Sequence, residues 1–154
     1  MVGRIDKCLA MLVLSLLLVA IPVSYVTAQD GAIQAVVDAW PELLDSGDID
    51  GLLNLFAADV VFRHPSMPVV LGRDSLRAFV SRVFRQQTSA GSSMRVERIQ
   101  TSSDWAHVEA LFSTTWRPTD GSEPFPENAR YLWVLHRGND AFWRVKTFVF
   151  YPIR

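Results

Sequence analysis

Ser46-Gly47-Asp48-Ile49-Asp50-Gly51-Leu52-Leu53-Asn54-Leu55-Phe56-Ala57-Ala58-Asp59-Val60-Val61-Phe62-Arg63-His64-Pro65 is the stretch that decides the fold. Gly47 suits the left-handed residue that ends a helix, and Asp48 directly after it suits the cap of a second one. Ile49, Leu52, Leu53 and Phe56 then recur on one face of a short helix. Asp59 to His64 turns β-branched and aromatic, and Pro65 holds His64 extended. Two helices therefore meet at a sharp angle and lead into a strand that stops at a histidine.

Upstream, Asp30 caps a first helix with apolar positions Ile33, Val36, Val37, Trp40 and Leu44, and Pro41 predicts a kink near Val37 to Trp40. Downstream, Ser66 to Gly72 reads as a loop. Asp74 opens a third helix carrying Leu76, Phe79, Val80, Val83 and Phe84 as an apolar stripe, with Arg77, Arg82 and Arg85 on its solvated side. From Ala90 the pattern changes to strands. Met94–Gln100 is one, with its alternation interrupted at Arg98. Trp105–Arg117 is a long one, in which Ala106, Val108, Ala110, Phe112, Thr114 and Trp116 share a face. Pro118 to Asn128 reads as a loop. Ala129–Arg137 and Ala141–Tyr151 form a hairpin around Gly138-Asn139-Asp140. In the first of these, Arg130, Leu132, Val134 and His136 alternate with Tyr131, Trp133 and Leu135, and the pattern alone leaves open which set faces inward. Three helices followed by a run of antiparallel strands predict an α+β domain.

The first 28 of the 154 residues stand apart. Arg4 and Lys7 precede an apolar run from Leu9 to Val23, Pro22 breaks it, and Val26-Thr27-Ala28 offers small residues for cleavage. That order predicts a secretory signal peptide at 1–28 and a periplasmic or secreted mature chain at 29–154, with no membrane association after cleavage. The alternative is a retained membrane anchor, against which the apolar run is shorter than the ~20 residues a spanning helix needs. The sole cysteine, Cys8, falls within the leader, so the mature chain relies on its core rather than on disulfides; all nine Phe and all five Trp lie beyond residue 28. The net charge is −1 overall and −2 after removal of Arg4, Lys7 and Asp6, with no basic run to suit nucleic acid. His64, His107 and His136 are widely spaced, which suits no metal site, and no motif calls for a cofactor.

The opening stretch, then Gly72-Arg73-Asp74 before an aromatic helix, then a Gly-Asn-Asp hairpin leading into Trp143-Arg144-Val145, resembles the nuclear-transport-factor-2-like superfamily, in particular its SnoaL-like and ketosteroid-isomerase-like members. The resemblance runs over 31–151. It implies a cone-shaped barrel: a curved antiparallel sheet packed against three N-terminal helices, enclosing a cavity, in a chain that pairs as a homodimer. It also implies that the end of the first strand, here His64, is where isomerases hold their base. Their tyrosine donor falls at Trp40 and their protonated aspartate near Leu132, so the steroid isomerase set is not present. Ketosteroid isomerase is a standard illustration of that arrangement.

His64 is the candidate catalytic residue, since an imidazole exchanges protons near neutral pH. Trp40, Phe56, Trp116, Trp133 and Arg130 are the candidate cavity residues, Arg130 as a carboxylate or enolate binder. Each also has a plain structural reading. His64 can end a strand bonded to backbone or water, the tryptophans can pack the core, and Arg130 can pair with Glu109 or Asp120. Three functions follow: an exported protein that binds a small, largely apolar organic molecule; a small lyase or isomerase with His64 as general acid–base on a carbonyl or polyketide-like substrate; or a dimerisation module. The fold does not choose among them. An enzyme needs a second polar group converging with His64.

Overall fold

The computed structural model describes residues 28–153, so the leader reading of 1–28 lies, apart from Ala28, outside the described residues. Its elements are α1 (Ala28–Ser46), α2 (Ile49–Asn54), β1 (Phe56–Arg63), β2 (Val70–Leu71), α3 (Arg73–Gln86), β3 (Gln87–Ser102), β4 (Trp105–Pro118), β5 (Phe125–Arg137) and β6 (Trp143–Pro152). Helix α1 runs through Pro41 without interruption. At its end Gly47 takes φ +69°, the Gly47 N–H donates to the Leu44 carbonyl and the Asp48 N–H to the Leu43 carbonyl. These two bonds form a Schellman motif. Asp48 then accepts the Gly51 N–H at 2.9 Å and so caps α2. Phe56, expected on the α2 face, instead begins β1.

The sheet has the order β2-β1-β6-β5-β4-β3. Its pairings are antiparallel except β1 with β6, which run parallel. The sheet is mixed and does not close into a barrel: β2 and β3 are edges, and the helices cover the concave side. Extra residues bend it. Strand β3 is longer than its pattern predicts because register shifts between Ala90 and Ser93 and between Val96 and Arg98 break the alternation. The second of these explains the interruption at Arg98. The first is pinned by Asp45 at the end of α1, which accepts the Ser89 hydroxyl, the Ser92 hydroxyl and the Ser92 N–H.

The inward faces are Ala106, Val108, Ala110, Phe112, Thr114 and Trp116 on β4, and Ala129, Tyr131, Trp133 and Leu135 on β5. On β6, Trp143 and Val145 face inward, and so do Phe148 and Phe150 after a shift of one residue. These side chains meet Ile33, Val37, Trp40 and Leu44 of α1 in one core. Arg130 therefore falls on the outer face of β5. It pairs with Glu97, the extra residue of the second β3 bulge, at 3.2 Å, and not with Glu109 or Asp120.

Candidate functional site

A cavity of about 220 Å³ lies between the three helices and the concave sheet. One wall is the apolar stripe of α3, where Phe79, Val80, Val83 and Phe84 stay only partly buried because they border open space instead of packed side chains. Leu44, Leu52, Leu53 and Phe56 form the end near the α1–α2 corner, and Phe62, Phe148 and Phe150 the sheet side. Into this apolar space project the polar residues His64, Gln87, Glu127 and Tyr131, together with Trp40 and Trp116. Among the described residues, no lysine or arginine lines it.

Trp40 sits at the centre. Its ring makes edge contacts with Phe56, Tyr131, Trp133 and Phe148 at centroid distances of 5.6–6.0 Å. Aromatic rings favour such edge contacts because a positive rim meets a negative face. The indole Nε1 atoms of Trp40 and Trp116 are buried without a full hydrogen bond. Both nonetheless act on their neighbours, Trp40 on Tyr131 and Trp116 on Glu127. A buried unpaired N–H costs about 1–3 kcal/mol, so two such donors in one cavity wall suit a ligand oxygen.

His64 stands one residue past β1, its ring stacked on Phe150 at 4.6 Å and 26°. Its Nδ1 accepts the Ser66 N–H at 3.1 Å, so the neutral ring carries its proton on Nε2. Desolvation lowers its pKa from the ordinary 6.5, which keeps it neutral at pH 7. With Nδ1 accepting this bond, the neutral ring offers its Nε2–H as a hydrogen-bond donor.

Sequence reasoning misses Glu127. Pro118–Asn128 reads as a loop, but β5 starts at Phe125, and Glu127 pairs in register with Thr114. A signal is nonetheless there: Glu127 and Ala129 extend the Tyr131–Trp133–Leu135 alternation backwards, past Pro126. Burial raises the Glu127 carboxyl above its ordinary value, partly offset by the Trp116 N–H. Tyr131 is pushed well above the usual phenol value, first by burial and then by the Glu127 charge, with a small offset from Trp40. Glu127 is thus a second polar group in the cavity that His64 lines.

Of the residues singled out in the sequence, His64, Trp40, Phe56 and Trp116 line the cavity. Trp133 lies behind Trp40, wholly buried, and does not reach the open space. Arg130 is on the opposite face of the sheet, and so is Leu132, because side chains alternate along β5. Tyr131 and Glu127, at alternate positions on β5, both line the cavity. Among the described residues, no group of three acidic, histidine or cysteine side chains is placed to hold a metal.

The sequence pattern of the SnoaL-like domain matches residues 26–149. No curated protein matches the sequence. Among solved structures, a ketosteroid isomerase-like protein from Erwinia carotovora atroseptica superposes with a TM-score of 0.76 at 21% identity, covering 83% of this chain and 98% of that one. ActVI-ORFA from Streptomyces coelicolor gives 0.67 at 18% identity, covering 82% and 98%. A proposed dehydratase of the NTF2-like family from Streptomyces avermitilis gives 0.68 at 18%, covering 81% and 97%. At such identities the likeness establishes the fold alone.

Proposed function

Because this chain belongs to the SnoaL-like domain family, we propose that its cavity binds a small, uncharged, largely apolar carbonyl compound and moves a proton on it, as an isomerase or lyase. The observation that carries this reading is the presence of His64 and Glu127 in the same apolar cavity. The size of about 220 Å³ falls below the usual range for drug-sized ligands, ~300–1,000 Å³, and suits one or two rings. An organic acid would lie beside Glu127 with no lysine or arginine among the described lining residues to offset it, which disfavours anionic ligands.

The roles proposed for these residues rest on their shared cavity and on the direction of their pKa shifts. His64 donates its Nε2–H to the substrate carbonyl oxygen as a neutral imidazole, the form its buried position favours. Glu127, a stronger base than an exposed carboxylate, takes a proton from the carbon next to the carbonyl. The electron pair of that C–H bond passes into an enolate, whose oxygen His64 and the nearby indole donors stabilise. Glu127 then returns the proton to a different carbon, which completes an isomerisation, or to a departing hydroxyl, which completes a dehydration. Binding without turnover is the competing reading, and the same experiment separates the two.

The full chain is incubated in D2O with a panel of one- and two-ring ketones, and exchange of their α-protons is followed by NMR. We expect enzyme-dependent exchange that Glu127→Gln slows by about 10²–10⁴-fold, while tryptophan fluorescence reports unchanged ligand binding. Binding with no exchange in the parent protein favours a pure binding role. Exchange that survives Glu127→Gln excludes Glu127 as the base. Export belongs to the same proposal and rests on the leader-like first 28 residues. Pairing of two copies rests on the family resemblance, and sedimentation velocity measures it.

A further inference from the structure

A second depression, of about 290 Å³, opens where β1 meets β6 and where the β5–β6 hairpin turns. Two irregularities shape it. Ala57 to Val60 have no partner in register on β6, and Lys146 is the extra residue where the β5–β6 register shifts. Such bulges redirect side chains. Here they leave Lys146 lining the depression together with Arg73, Arg144, His136 and one carboxylate, Asp59. Arg144 and Lys146 are not loose surface charges, since their side chains are only 29% and 28% exposed.

The charges do not balance locally. Asp140 holds Arg144 through two hydrogen bonds, and Asp59 holds Lys146. Arg73 is paired with no carboxylate among the described residues; one guanidinium nitrogen donates to the Phe56 carbonyl, and its Nε is buried without any partner. A buried donor left unpaired calls for an explanation, and an ion is one of the few available. A guanidinium fork with free N–H groups, flanked by a second guanidinium and an ammonium, is suited to an oxyanion.

We propose that Arg73, Arg144, Lys146 and His136 form a binding site for a compact oxyanion, a phosphate or sulfate group, separate from the cavity. The two sites sit back to back on Phe56, whose ring lines the cavity and whose carbonyl takes the Arg73 bond. Occupation of the anion site gives the Arg73 guanidinium a counter-charge and leaves the Asp59 and Asp140 pairs in place.

Inorganic phosphate and sulfate are titrated separately into the full-length protein at constant ionic strength, with chloride as the control, and the arginine Nε–H resonances are followed by NMR. The expected result is a saturable shift of the Arg73 Nε–H signal with either oxyanion and none with chloride. Arg73→Gln removes that signal, so Lys146→Gln, which keeps it, gives the quantitative arm: its phosphate affinity should fall by about tenfold. Arg130→Gln, on the outer face, should bind phosphate like the parent. Absence of a saturable shift, or an equal loss in Lys146→Gln and Arg130→Gln, overturns the proposal.

Discussion

Burial raises the Glu127 carboxyl, so the folded chain holds that proton more tightly than the unfolded chain. Stability attributable to Glu127 is therefore greatest at low pH and falls as pH rises from the unfolded carboxylate value through the raised folded one. At pH 7 the buried charge is a net cost. We expect Glu127→Gln to raise the melting temperature at pH 7 by about 2 °C and to have less effect at pH 4; calorimetry at the two pH values measures this, and a variant less stable than its parent at pH 7 contradicts it. His64 has the opposite sign: its depressed folded pKa means stability is lost as pH falls from 6.5 through that value. Single residues of the site are only partly legible in the sequence. His64 stands out through its place before Pro65, and Trp40 through its helical spacing. Glu127 is hidden by flanking prolines that imitate a loop. Arg130 misleads because an alternation shows that two faces exist but not which one is covered.

Local chemistry at the α1–α2 corner sets the angle at which the helices close over the sheet. A methyl group added at Gly47 would have no atom within 4 Å, so replacing this glycine with alanine meets no clash and tests backbone strain alone. We expect Gly47→Ala to cost about 1–2 kcal/mol through its φ of +69°, read as a lower urea midpoint with an unchanged slope. The other end of the corner depends on Asp45. Desolvation pushes its carboxyl up, but the hydrogen bonds from Ser92 and Ser89 outweigh this and hold it below the ordinary value. That contribution is present above the unfolded carboxylate pKa and is lost as pH falls through the folded one. Asp45→Ala should cost about 1–2 kcal/mol at pH 7 and less near pH 3; an equal cost at both would show that the carboxylate charge is not what matters. The corner can be read from the sequence because caps are local: a glycine and an aspartate adjacent in the chain do the same work wherever they occur. The Asp45 contact cannot, since it joins α1 to a bulge more than forty residues later.

The described residues form a curved mixed sheet with three helices over its concave side. Chain length implies a single domain and the order of helices then strands its α+β class, whereas the parallel pair and the open edges depart from the antiparallel barrel expected. The leader reading makes a prediction for the whole chain too: mass spectrometry of exported protein should find a chain that begins at Gln29, and a mass that retains Met1 to Ala28 in the exported fraction would refute cleavage there. The helix caps at Gly47 and Asp48 and the apolar stripes of α1 and α3 are properties of neighbouring residues, so they are legible in the sequence, while the ends of β1, β3 and β5 are not. The parallel joining of β1 to β6, the bulges at Ala57–Val60 and Lys146, and the inward face of β5 depend on strands distant in the chain finding their register. Those features emerge only once the chain has packed, and they are what bring His64, Tyr131 and Glu127 into one cavity and leave Arg130 outside it. The division arises because a side chain's direction along a strand is fixed relative to its neighbours, whereas which direction is buried is fixed by what packs on the sheet.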